Sequence, residues 1–141
     1  MRRLGIVLGL AVLMAVALAC DRPGAPLPTA PSGTVVLTYE RTGGIAGFQD
    51  RLVIGAKGEY FLVRGGQERI GSIDESRRKA LDTWSSQYAA FTLTLEDNPG
   101  GPDNMKRQVI WAGAGGNIPT GDMQREILDW ASGVMEQLTA R

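Results

Sequence analysis

The only cysteine of this 141-residue chain, Cys20, stands directly after an uncharged run of 16 residues from Leu4 to Ala19. A single thiol allows no disulfide within the chain, so whatever folds must be held together by packing alone. Met1, Arg2 and Arg3, then a short stretch dominated by Leu, Val, Ala and Gly, then small residues at its end, read as an export signal. The run falls short of the roughly 20 apolar residues that a spanning helix needs, and Asp21, Arg22 and Pro23 follow Cys20 at once. The folded part of the chain is therefore expected to begin after this segment and to lie outside the cytoplasm.

Ala17, Leu18, Ala19 and Cys20 resemble the lipobox of bacterial lipoprotein precursors, with Ala17 where Leu is commonest. The resemblance implies cleavage between Ala19 and Cys20. It further implies diacylglyceryl and acyl groups on Cys20 that hold the protein on a membrane of the bacterial cell envelope. Two or three acyl chains on one residue anchor firmly, at about 0.8 kcal/mol per buried methylene. From Asp21 to Gly33 the chain carries Pro23, Pro26, Pro28 and Pro31 among Gly, Ala, Ser and Thr, with almost nothing to bury. Such a segment predicts an extended tether, up to about 40 Å long at about 3.1 Å per residue. The predicted organisation is an export signal over 1–19, a lipidated cysteine and tether over 20–33, and one domain over 34–141. With Arg2 and Arg3 removed, 13 basic side chains face 15 acidic ones without blocks of like charge. That balance argues against nucleic acid and against electrostatic adhesion to anionic lipid.

Within the domain, Thr34 to Arg41 alternates between two faces, Gln49 to Ile54 alternates again after a Gly-rich turn, and Glu59 to Arg64, after Ala56 to Gly58, is rich in aromatic and β-branched residues. Period two in the first two and composition in the third predict three strands in an antiparallel meander. Ser72 and Glu75 have the spacing of a capping box, which predicts a helix over 73–88 with Leu81, Trp84 and Tyr88 on its apolar face. Phe91 to Leu95 reads as a short strand or an irregular segment, Glu96 to Asn104 as a loop around Pro99 and Pro102, and Met105 to Trp111 as a strand. Pro119 and Thr120 introduce a last helix whose stripe is Met123, Ile127, Ala131, Val134 and Leu138. The expected fold is α+β: a curled antiparallel sheet of about four strands with two helices.

Catalytic patterns find little to build on. The chain has no histidine, which removes the commonest general base, Ser-His and Cys-His pairs, and the HExxH zinc site. Ser76 to Lys79 spells S-x-x-K, but neither SDN nor KTG occurs to complete a penicillin-binding site. Asp97, Asn98, Asp103 and Asn104 lack EF-hand spacing and are ordinary turn residues. Asp122, Glu126 and Asp129 follow one side of the last helix, where charges near a helix N-terminus are favourable. Neither Gly43 to Gly47 nor Gly113 to Gly116 matches a phosphate-binding loop, and both predict tight reversals needing positive φ. No metal, cofactor or catalytic residue is expected.

Tyr39, Glu40, Arg41, Thr42, Gly43, Gly44, Ile45, Ala46, Gly47, continued by Asp50, Arg51, Leu52 and Gly58, form an unusual string. It resembles the SGGFAG or SGGIAG opening of the emfourin-like group of small bacterial proteins, with Thr42 where Ser is usual. That group includes an inhibitor of protealysin, a thermolysin-like metalloprotease. The resemblance implies a meander, a helix, a further strand and a C-terminal helix, and allows a protease-inhibitor function. On the residues themselves, the glycine turn either sets the hairpin register or forms a loop for a partner. The candidate contact residues are Tyr39, Gly43, Gly44, Ile45, Gly47 and Phe48. The expected function is a non-enzymatic, macromolecule-binding envelope lipoprotein, its partner an envelope protein or a protease.

Overall fold

The computed structural model describes residues 33–140. Ala19, Cys20 and nearly all of the tether lie outside the described residues. Six strands and two helices follow in the order β1 (Val35–Gly43), β2 (Phe48–Gly55), β3 (Glu59–Arg64), β4 (Gln67–Ser72), α1 (Glu75–Gln87), β5 (Ala89–Glu96), β6 (Met105–Ala114) and α2 (Gly121–Thr139). All strand pairs are antiparallel, in the order β4-β3-β2-β1-β6-β5. The two edges β4 and β5 do not meet, so the sheet is open rather than curled, and it has six strands where about four were expected. The α+β class, the meander and the two helices are as expected.

Register builds the core. On one face Phe91, Trp111, Leu37, Ile54 and Tyr60 lie side by side across five strands, and Leu93, Val109, Tyr39, Leu52 and Leu62 form the next row. Helix α2 covers these rows with Ile127, Leu128, Ala131, Val134 and Met135, and α1 adds its one fully buried side chain, Leu81. A shift in register between Val35 and Leu37 brings Val36 into the same core. The expected stripe of α2 holds: Ile127, Ala131 and Val134 are buried, and Met123 and Leu138 pack at its ends.

The helix starts obey short-range chemistry. Helix α1 is capped by Asp74, not Ser72: its carboxylate accepts from the Arg77 amide at 3.0 Å, while Ser72 ends β4. Ser76, the serine of the S-x-x-K string, donates its hydroxyl hydrogen to the same Asp74 at 2.6 Å. The helix stops at Gln87, and Tyr88 is its extended C-cap rather than its last turn. α2 starts where Pro119 and Thr120 mark it, and Thr120 caps it, accepting from the Met123 amide at 3.3 Å. Among the described residues, no helix is long and apolar enough to cross a membrane.

The glycine runs divide into two kinds. Gly43, Gly44 and Gly47 take φ values of 93°, 71° and 62°, as a reversal requires. The Gly113–Gly116 run has no positive φ, contrary to expectation. Its requirement is proximity: a Cβ on Gly115 would lie 2.1 Å from the Gln87 carbonyl carbon, where the end of β6 meets the end of α1.

Candidate partner-binding hairpin

The β1–β2 hairpin stands at one end of the sheet, beside the β3–β4 turn at Gly65 and Gly66 and the 97–104 loop. The chain enters β1 from the opposite end. Gly44 donates its amide hydrogen to the Asn104 carbonyl at 2.8 Å and Gly47 donates to Gly44 at 3.0 Å, which ties the hairpin to the neighbouring loop and closes its turn. Between them Ile45 projects, 86% exposed. Phe48 is half-buried beneath Arg41, whose guanidinium carbon lies 4.6 Å from the ring centroid.

Of the six expected contact residues, the structure brings five together at this turn. Tyr39 is elsewhere: it is fully buried among the core residues, four positions up the strand from Gly43. Alternation explains the separation, because Tyr39 points to the helix-covered face while the hairpin leaves the sheet. Burial pushes the Tyr39 phenol above its ordinary value, with the Ser132 hydroxyl and the Arg107 and Arg41 guanidinium groups opposing it.

Beneath the hairpin lies an ionic cluster that no local signal announces. Asp50 is 3% exposed and accepts from Arg41 Nε at 3.1 Å and Nη2 at 2.5 Å, with Arg64 Nε 3.8 Å away and the Gly65 amide donating at 3.3 Å. Glu136, on the last turns of α2, receives Arg41 Nη1 and Arg64 Nη1, each at 2.8 Å. Arg64 also donates to Thr139 Oγ1 at 2.6 Å, and Arg69 caps the Leu138 carbonyl at 2.7 Å. Two guanidinium groups thus bridge two carboxylates and clamp the end of α2 to the hairpin bases. Burial works against the charge on Arg41, but the Asp50 and Glu136 carboxylates outweigh it and raise its pKa further. Glu136 is held below its usual value, first by the hydrogen bond from Arg64.

The loop residues and Asp129 have partners close by. Asn98 donates to Asp103 inside the 97–104 loop, which is the turn chemistry expected of them. Asp129 and Asp97 both receive Arg107, at 3.4 Å and 3.1 Å. Asp122 and Glu126 border a groove between α1 and α2 whose floor is Trp84 against Trp130, edge to face at 5.5 Å. Trp84 packs against the core there, as its helical spacing predicts.

Compared with family models, curated proteins and solved structures, the chain finds no match. The geometry at this end of the sheet is a protruding apolar tip on a braced base. Both carboxylates beneath it are occupied by guanidinium donors. Such an arrangement suits contact with another surface better than proton transfer.

Proposed function

We propose that this protein is a bacterial envelope lipoprotein, held on a membrane by lipid on Cys20, whose domain binds another macromolecule without catalysing a reaction. The observation that carries the reading is Ile45, 86% exposed at the tip of a hairpin whose base is fixed by Arg41, Asp50, Arg64 and Glu136. A large aliphatic side chain held in water on a preorganised turn loses little conformational freedom when a partner covers it. The absence of histidine, the export run before Cys20 and the proline-rich tether support the same reading.

A photo-crosslinker at Ile45 in the full chain should trap one partner in stoichiometric amount in the bacterial envelope, and Ile45→Asp should abolish its recovery. Recovery of the chain alone would overturn the reading. Lipidation is tested separately: labelled palmitate should enter the wild-type chain and be absent from Cys20→Ala.

A second reading draws on the same hairpin, because the string that resembles the emfourin-like group ends in this turn. It makes the domain an inhibitor of a thermolysin-like metalloprotease. Submicromolar inhibition, weakened at least tenfold by Ile45→Asp, is the expected result, and an unaffected panel of such proteases would remove it.

A further inference from the structure

The two edges of the sheet are treated differently. β4 is six residues long, carries Glu68 and Arg69, contains Gly71, and is tied to the end of α2 by Arg69. Charge, shortness and glycine are the devices by which an edge avoids pairing. β5 has only a charge at its last residue. Its eight residues AAFTLTLE hold no lysine, proline or glycine, and no charge before Glu96. Its exposure alternates strictly, with Ala90, Thr92, Thr94 and Glu96 exposed. Phe91, Leu93 and Leu95 lie half-buried along the rim of the core.

The direction of the free backbone groups follows from the ladder. Leu93 pairs with Val109 and Leu95 with Arg107, and the Asp97 amide continues that series by donating to the Met105 carbonyl at 2.9 Å. In an antiparallel ladder both polar groups of one residue point to the same side, alternating along the strand. Phe91, Leu93 and Leu95 therefore spend their amides and carbonyls on β6, while Thr92, Thr94 and Glu96 turn theirs outward. Three donors and three acceptors are left in line along an edge whose one charge, Glu96, lies at its end.

We infer that β5 is the docking edge for a second copy of this chain, the two β5 strands pairing antiparallel about Leu93 to make one continuous twelve-stranded sheet. The sequence of the edge is complementary to itself in that register. Thr92 meets Thr94 of the second copy and exchanges both backbone hydrogen bonds with it, Phe91 meets Leu95, and Glu96 lies opposite Ala90, so no like charges face each other. The half-buried Phe91, Leu93 and Leu95 of both copies join across the seam and extend the apolar rows. Confinement of lipid-anchored copies to one membrane raises their effective concentration, which favours a short interface. The surface is separate from the Ile45 hairpin, so either can fail without the other.

The register makes the test sharp. Leu93 is its own neighbour across the two-fold in a pair whose Cα atoms approach to about 4.5 Å, within reach of a disulfide. The full chain carrying Leu93→Cys, expressed in the oxidising bacterial envelope, should run as a disulfide-linked dimer on a non-reducing gel, at least tenfold above the wild-type background. Gln67→Cys, on β4, should stay at background. Adding Thr94→Pro should abolish the dimer while leaving the domain folded by circular dichroism, because the Thr94 amide faces outward and the only bond to β6 that is lost is the exposed one from Gln108 Nε2 to Thr94 Oγ1. Thr94→Lys serves the same purpose if the proline variant does not fold. A folded Leu93→Cys chain at the wild-type background, or one linked to a different protein, would overturn the inference.

Discussion

Gly43 and Gly47 sit four residues apart in one turn and face different demands. A Cβ on Gly43 would lie 2.4 Å from the Asn104 carbonyl oxygen, a backbone atom, at a φ of 93°, whereas Gly47 at 62° has open space around it. Gly43→Ala is expected to cost about 2–3 kcal/mol and Gly47→Ala about 1 kcal/mol, from backbone strain with and without a clash. Urea denaturation of the two variants measures the difference. Asp50 is the other residue on which this end depends. Removing its carboxylate leaves the Arg41 guanidinium largely buried beside an empty site, so Asp50→Ala should lose about 3 kcal/mol on the same assay. Glu136 makes the stability depend on acid. Its folded pKa is depressed, so its contribution is complete above the ordinary glutamate value of 4.5 and is lost as pH falls through the lower folded value. The stability difference between wild type and Glu136→Gln should therefore shrink below about pH 4.5, as read by denaturation across that range.

The elements differ in how much of each is written locally. β3 is found at Glu59–Arg64, as expected, because its aromatic and β-branched run is set off by charged ends and a turn before it. β4 escapes the same reading, since Glu68, Arg69 and Gly71 are poor strand residues, and its pairing with β3 supplies what the residues do not. Gly71 has its own reason: a Cβ there would lie 2.8 Å from the Tyr60 hydroxyl, so glycine lets Tyr60 lie across the edge. The start of α1 shows a competition between two possible caps. Ser72 and Glu75 match the capping-box spacing, but Ser72 is paired with Glu59 in the sheet and Asp74 takes the cap. Asp74→Ala should lower stability by about 1 kcal/mol and Ser72→Ala by a few tenths at most, measured by thermal melting.

At the scale of the molecule, one cluster of buried side chains joins the sheet to both helices, so the described domain should unfold as a unit. Melting followed by tryptophan fluorescence, from Trp84 on α1, Trp111 on β6 and Trp130 on α2, should coincide with melting followed by far-ultraviolet circular dichroism. Leu81→Ala, which empties the one site where α1 is fully anchored, should shift both curves together by about 2–4 kcal/mol of stability. The class, the meander, the last helix with its start and stripe, and the glycine turn at Gly43 to Gly47 are legible in the chain, because each depends on periodicity, composition or φ preference within a few residues. The six-stranded open order, the removal of Tyr39 from the hairpin, the bracing of Ile45 by residues up to 95 positions apart, and the free edge at β5 are not. Those features arise from which strands become neighbours and which face each side chain meets, and long-range pairing leaves no period in the chain that forms it.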